Sequence, residues 1–129
     1  MKLTEYNTLQ KNENAKQVAI DFDGVIHKNS LGFHDGTIYD KPVEGSLEAI
    51  KTLVGLGYEV VIFTCKAKPD RPLVEGKTGI ELIWNWLEEH GFKNYIKEVT
   101  SEKPRAVAYI DDKGIRFTDW KNILEGYGF

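Results

Sequence analysis

Four short segments rich in apolar and β-favouring residues recur along the chain. They are residues 18–20, 58–63, 95–99 and 106–110. A continuous apolar run such as 18–20 is typical of a strand that is covered on both faces, as in a parallel sheet. The pattern therefore predicts four strands, and residues 115–117 predict a short fifth one.

Helical periodicity separates these segments. Apolar residues recur at spacings of three and four over 43–56, where two glycines predict the helix end. Thr78 and Glu81 have the spacing of a capping box at the start of a second helix. The apolar face that follows consists of Ile80, Ile83, Trp84 and Leu87, with Trp86 also expected in or near the core. Residues 119–124 predict a terminal helical turn.

Strands that alternate with helices predict βαβ units and an α/β fold: a single doubly wound, Rossmann-like, mostly parallel sheet flanked by helices. Residues 17–129 are expected to form this domain, after a polar N-terminal extension at 1–16. The segment 26–42 is long enough for a flap but too short for a cap domain. Right-handed crossovers would bring the carboxyl ends of the parallel strands to one edge of the sheet.

Composition narrows the class of protein. The chain has 129 residues, of which 41% are hydrophobic and 29% are charged, with a formal net charge of -3. These values are typical of a soluble globular domain in the cytoplasm, and no apolar stretch is long enough to span a membrane. The negative charge argues against nonspecific nucleic-acid binding. Cys65 is the single cysteine, so it has no internal disulfide partner and is expected to be buried.

Two acidic pairs stand where predicted strands end. Asp21 and Asp23 directly follow the first strand, and Asp111 and Asp112 directly follow the fourth. Neighbouring carboxylates repel each other unless a cation lies between them. A polar turn explains one such pair equally well. Two pairs that meet at the same sheet edge indicate a site for a hard cation.

Phosphate-binding chemistry fits the other polar residues at this edge. Thr64 ends the second strand, and Lys103 lies in the loop before the fourth. Magnesium prefers oxygen ligands and commonly bridges to phosphate, while lysine and hydroxyl groups bind the remaining phosphate oxygens. Alone, Thr64 could cap a strand end and Lys103 could be a solvated surface charge. Their joint occurrence favours a phosphotransfer site.

These residues resemble the haloacid dehalogenase superfamily of phosphohydrolases, in its capless form. The matching segments, in the family's chain order, are Asp21-Phe22-Asp23-Gly24-Val25, Ile62-Phe63-Thr64, Lys103-Pro104 and Ile110-Asp111-Asp112. The resemblance covers about residues 17 to 117. Receiver domains of signalling relays share several of these residue types, but in them the Lys-Pro follows the last acidic element.

The resemblance implies a role for each matched residue in catalysis. Asp21 would be the nucleophile that forms an aspartyl-phosphate, and Asp23 would be the general acid and then the general base. Thr64 and Lys103 would bind the phosphate. The implied activity is magnesium-dependent hydrolysis of a phosphomonoester.

The resemblance also implies the metal site. The Asp21 carboxylate, the Asp23 backbone carbonyl and Asp111 would bind Mg²⁺, and Asp112 would act through a metal-bound water. Asp112 has an alternative role, because the neighbour of a metal ligand could instead bond loop amides.

The sequence says less about the substrate than about the type of reaction. A nucleotide, a nucleic-acid end or a sugar phosphate would suit an open, capless site. Lys66, where many relatives have Arg or Asn, and His27 in the flap are candidate substrate contacts, although a loop histidine is more often an exposed bystander. The alternative function is a non-catalytic Mg²⁺- and phosphate-binding or protein-interaction module on the same fold. No membrane partner is expected, and the sequence does not define the oligomeric state.

Overall fold

The computed structural model describes most of the chain. The described residues are 17–102, 104, 106–111 and 115–126, with residues 111, 115 and 116 described by their backbone. The predicted N-terminal extension 1–16 lies outside these ranges, as do two predicted site residues, Lys103 and Asp112. Within the described ranges, no helix has the length and apolar character needed to cross a bilayer.

Strands and helices alternate through the first half of the domain. In chain order, the described elements are β1 (Gln17–Ile20), α1 (Ser46–Gly55), β2 (Glu59–Phe63), α2 (Gly79–Glu89), β3 (Ile96–Thr100), β4 (Ala108–Asp111), β5 (Ile115–Arg116) and α3 (Trp120–Gly126). Two 3₁₀ turns, Cys65–Ala67 and Lys93–Tyr95, follow β2 and α2. The predicted strands and helices are confirmed, with ends that differ by a few residues. The 3₁₀ turn after β2 replaces what was predicted to be irregular loop.

The strands form one parallel sheet in the order β3-β2-β1-β4-β5. Ile20 of β1 lies opposite Ile62 of β2 on one side and Ile110 of β4 on the other. This order is compatible with a Rossmann-like sheet. Because the central strands run in the same direction and in register, their carboxyl ends lie side by side.

The hydrophobic core lies between the sheet and the helices. Its fully buried members include Ile20, Ile62 and Ile110 from the sheet and Ile50, Leu53, Ile83 and Leu87 from α1 and α2. Burying each of these side chains stabilises the fold by about 1.5–3 kcal/mol. Ala19 and Val61, whose side chains point to the opposite face of the sheet, are buried as well. The two central strands are therefore covered on both faces, as their uninterrupted apolar runs predict.

Helix α2 begins at the predicted capping box. The Thr78 hydroxyl accepts the Glu81 N–H at 3.2 Å, and the Glu81 carboxylate accepts the Thr78 N–H at 3.2 Å. The predicted apolar face is wrong at Ile80, which is 38% exposed. Ile80 lies in the first turn of α2, at the amino-terminal end of the helix. Trp84 is half-buried, and Trp86 is 3% exposed in the core.

The flap, residues 26–42, contains only turns and isolated bridges. Its two ends are held together by backbone hydrogen bonds from Val43 to Ile26 at 2.8 Å and from Lys28 to Lys41 at 3.0 Å. The described segment between β1 and α1 therefore holds no inserted domain. This arrangement brings the flap next to the carboxyl end of β1.

Candidate functional site

The carboxyl ends of β1 and β4 meet at one edge of the sheet. Asp21 follows the last residue of β1, and its backbone N–H donates to the Ile110 carbonyl at 3.1 Å. Asp111 is the last residue of β4, so its backbone lies beside that of Asp21. The Asp21 side chain is half-buried, and its carboxylate accepts the Phe22 N–H at 2.7 Å. Two of the four predicted carboxylate residues thus come from neighbouring strand ends.

A tight turn follows β1 and brings Asp23 next to His27. The Phe22 carbonyl accepts the N–H groups of Ile26 at 2.9 Å and His27 at 3.0 Å. Gly24 has a φ of +80°, a backbone conformation that glycine adopts without steric cost. Its N–H closes the turn by donating to the His27 carbonyl at 2.7 Å. The turn therefore places residues four apart in the sequence side by side.

Two buried side chains hold the Asp23 carboxylate. Lys66 Nζ lies 3.1 Å from both Asp23 oxygens, and His27 Nδ1 lies 2.9 Å from Oδ1. Lys66 is only 7% exposed and His27 is fully buried. Buried ammonium groups need a partner, because desolvation disfavours their charge. Asp23 is that partner for Lys66.

These contacts determine the protonation state of Asp23. Burial alone would raise the pKa of its carboxyl, but the hydrogen bond from His27 and the positive charge of Lys66 outweigh burial and hold the pKa below its ordinary value. Asp23 is therefore a carboxylate at neutral pH, which is the form that can accept a proton from water. Both of its oxygens contact protein groups, and the metal ligand that the resemblance implies at this residue is the backbone carbonyl.

The turn after β2 places Thr64 and Lys66 inside the protein. Thr64 caps the 3₁₀ turn: its hydroxyl oxygen accepts the Lys66 N–H at 3.3 Å, and its N–H donates to Thr100 of β3 at 3.0 Å. The hydroxyl keeps its own proton to donate to a phosphate oxygen. The predicted burial of Cys65 is wrong, since it is exposed between these two buried neighbours. The two polar side chains, Thr64 and Lys66, occupy the inward-facing positions of the turn.

His27 is not the exposed bystander that a loop histidine usually is. Its ring stacks on Phe22 with centroids 5.3 Å apart and meets Tyr39 and Trp86 edge-on. Its Nε2 accepts the Asp40 backbone N–H at 3.0 Å, so the ring proton lies on Nδ1 and is donated to Asp23. Both ring nitrogens are used, and neither points to solvent.

The residues at this edge fit a hard cation by their donor chemistry. The Asp21 carboxylate and the Asp23 carbonyl offer the oxygen ligands that Mg²⁺ prefers. Lys66 does not oppose a cation, because its charge is matched by Asp23. Among the described side chains, no three Asp, Glu, His or Cys residues cluster around one point. Two predicted ligands, the side chain of Asp111 and the whole of Asp112, lie outside the described part of the chain.

A small cleft of about 20 Å³, room for about one water, lies between the flap and the loop 65–77. Lys66, Arg71 and Val74 line it from the loop, and Ile38 lines it from the flap. The Arg71 guanidinium lies 5.3 Å from the centre of the Phe33 ring, which is 57% exposed on the flap. The positive charge of Arg71 and the apolar surface of Phe33 therefore lie on the far side of Lys66 from Asp23.

The sequence predicts Lys66 and His27 as candidate substrate contacts, whereas the structure places both against Asp23. The sequence does contain a pattern that indicates each of these contacts. Thr64 and Lys66 continue the two-residue alternation of β2, and His27 stands four residues after Asp23 in a glycine turn. No protein-family model, curated protein or solved structure matches the chain.

Proposed function

We propose that this protein is a magnesium-dependent phosphomonoester hydrolase with a capless, doubly wound haloacid dehalogenase-like fold. The observation that carries the proposal is the convergence of Asp21, Thr64 and the Asp111 backbone at the carboxyl ends of neighbouring parallel strands. Ligands of open α/β sheets bind at such an edge. Receiver domains have the flavodoxin-like strand order 2-1-3-4-5, which differs from the order here.

The reaction proceeds in two displacements. An Asp21 carboxylate oxygen attacks phosphorus, the bond from phosphorus to the leaving oxygen breaks, and that oxygen takes a proton from Asp23 or from water. Water then attacks phosphorus, Asp23 accepts the water proton, and inorganic phosphate leaves as the Asp21 carboxylate is restored. Splitting the hydrolysis in this way replaces one difficult step by two easier ones.

The remaining polar groups stabilise the charge on the phosphoryl oxygens. The Thr64 hydroxyl donates to one oxygen, and Lys103 is the predicted cationic ligand. Asp21, the Asp23 carbonyl and the predicted ligands Asp111 and Asp112 would hold Mg²⁺, and the bound ion would supply the positive charge that offsets the repulsion between a carboxylate and an anionic phosphate. Lys66 holds the Asp23 carboxylate in place and favours its charged form.

The lowered pKa of Asp23 keeps it in the deprotonated form that the second displacement requires, and it also makes Asp23 a weaker base. The same contacts reduce its protonated fraction in the first displacement. Substrates with a poor leaving group, such as alkyl phosphates, should therefore depend on Asp23 more strongly than aryl phosphates, whose leaving oxygen needs no proton.

The exposed surface beside the cleft favours a nucleotide or a nucleic-acid end over a sugar phosphate as substrate. A base can stack on the exposed Phe33 ring, and Arg71 can pair with a further phosphate or with the base. A sugar monophosphate carries neither a base nor a second phosphate to pair with Arg71. The substrate class is a separate proposal from the reaction.

Hydrolysis of para-nitrophenyl phosphate tests the reaction. Activity should require Mg²⁺, should be abolished in Asp21→Asn, and should fall in Asp23→Asn. Asp70→Asn, in the exposed loop 65–77, is the matched control and should retain activity. Hydrolysis that survives in Asp21→Asn would reject the nucleophile. Mg²⁺ binding without hydrolysis of any phosphomonoester would instead favour the non-catalytic module.

A further inference from the structure

His27, near the start of the flap, connects Asp23 to Asp40 near its end through the two ring nitrogens. Nδ1 donates to the Asp23 carboxylate at 2.9 Å, and Nε2 accepts the backbone N–H of Asp40 at 3.0 Å. The ring is fully buried between Phe22 and Trp86, which fixes its plane. A shift of the Asp40 amide would therefore rotate or displace the ring, and the Asp23 carboxylate would follow.

Asp40 is in turn the anchor of the flap. Its carbonyl accepts the Trp86 indole N–H from α2 at 2.8 Å. Its carboxylate accepts the hydroxyl and the N–H of Ser30 and the N–H of Lys41, and these bonds hold its pKa below the ordinary value. The residue thus joins the flap tip, α2 and His27 at one point.

We propose that His27 is a positioning residue that sets the orientation of the Asp23 carboxylate according to the position of the flap. The inference rests on the proposed function, in which Asp23 transfers protons to and from the reacting oxygens. A substrate bound at the sheet edge would contact the flap, and the hydrogen bonds from Asp40 through His27 would carry that contact to Asp23. The ring itself touches neither substrate nor metal.

If His27 only stabilised the fold, removing either of its hydrogen bonds should lower kcat equally. Two variants, each of which keeps one of the bonds, separate this structural role from the positioning role. His27→Asn retains a donor where Nδ1 stands but loses the acceptor for the Asp40 N–H. His27→Gln retains an acceptor where Nε2 stands but loses the donor to Asp23. Both variants remove the buried ring, so both should lose stability. The comparison between them isolates each hydrogen bond.

His27→Gln should lower kcat more than His27→Asn does, whereas His27→Asn should speed hydrogen exchange of the flap more than His27→Gln does. Positioned acid–base groups contribute about 10²–10⁴-fold to a rate, so we expect kcat to fall by about tenfold to hundredfold in His27→Gln, with KM within about twofold. His27→Asn should retain at least about fivefold more kcat than His27→Gln. In hydrogen exchange, the Asp40 amide should exchange at least about tenfold faster in His27→Asn than in His27→Gln.

A double-mutant cycle completes the test. In an Asp23→Asn background, the difference in kcat between the two His27 variants should disappear, because the residue through which His27 acts is gone. Equal losses of kcat in both variants, or a difference that persists in that background, would overturn the proposal. Tyr39→Phe is the control for flap loosening, since it removes the hydroxyl bonds to Asn29, Leu31 and Gly32 but keeps the ring that packs edge-on against His27.

A failure of the proposed function remains distinguishable from a failure of this inference. If the wild-type protein hydrolyses no phosphomonoester, the hydrolase proposal is wrong, and nitrogen NMR of histidine-labelled protein decides the inference. A His27 ring proton on Nδ1 that shifts in Asp23→Asn, together with the Asp40 exchange pattern above, would support the connection. A ring proton on Nε2, or an exchange rate of the Asp40 amide that is the same in both His27 variants, would refute it.

Discussion

Gly79→Ala should disrupt the site without changing any of its side chains. Gly79 is the first residue of α2, and the Lys66 backbone packs directly against it. A Cβ at this position would overlap the Lys66 carbonyl oxygen and would lie 2.8 Å from the carbonyl carbon. Both partners are backbone, so no side-chain rotation relieves the overlap. Either the start of α2 or the Lys66 backbone must move.

The size of the effect follows from that distance. Carbon atoms in contact lie at about 3.5 Å, so the 2.8 Å separation must grow by at least about 0.7 Å, and the closer carbonyl oxygen requires a larger shift. Overpacking of this kind costs about 1–3 kcal/mol, and we expect the upper half of the range because backbone must shift. For a chain of this length the melting temperature should fall by roughly 5–12 °C. A shift of this size at Lys66 should lower kcat/KM by about tenfold or more.

Thermal unfolding followed by circular dichroism and hydrolysis of para-nitrophenyl phosphate measure the two effects. Gly55→Ala is the matched control, because Gly55 ends α1 and a Cβ there meets no atom within 4 Å. Its stability should be unchanged or raised by up to about 1 kcal/mol. A Gly79→Ala protein as stable and as active as this control would refute the packing of Lys66 against α2.

Three further predictions concern the contacts around the cleft. Lys66→Met should destabilise the protein by about 1–3 kcal/mol, because it leaves the partly buried Asp23 carboxylate without its ion pair, and chemical denaturation should detect the loss. The lowered pKa of Asp40 stabilises the flap at neutral pH, and the stabilisation should disappear as the pH falls from about 4 towards that lowered value. The protection factors of the flap amides bonded to Asp40, which compare their exchange with that of an unfolded reference at the same pH, should therefore fall at low pH in the wild type but not in Asp40→Asn. Phe33→Ala should reduce the preference for nucleotides over sugar phosphates by about tenfold, since stacking is worth about 1–3 kcal/mol per base, whereas Leu31→Ala, at an equally exposed flap position, should not.

The fold was predictable from the sequence because its signals are local. Uninterrupted apolar runs such as 18–20 predict buried strands, and the Thr78 capping box predicts where α2 begins. Strand alternation with helices then predicts a parallel sheet and one shared edge for Asp21 and Thr64. These inferences need no knowledge of how distant segments pack.

The contacts of Asp23 were not predictable in this way, because they depend on tertiary packing. Lys66 is buried only because the turn after β2 continues inward, and His27 is buried only because the flap folds back onto Trp86. The exposure of Cys65 has the same origin, since the polar neighbours occupy the inward positions. Charge and sequence position favour solvent for both Lys66 and His27, and paired burial overrides that tendency.

Trapping the covalent intermediate tests the central claim most directly. Borohydride reduces an acyl phosphate to an alcohol, so a reaction quenched with borohydride during turnover should convert Asp21 to homoserine, which peptide mass spectrometry detects. The conversion should require both substrate and Mg²⁺ and should occur at Asp21 alone. Hydrolysis that proceeds at full rate with an unmodified Asp21, or with the modification on another residue, would contradict the account.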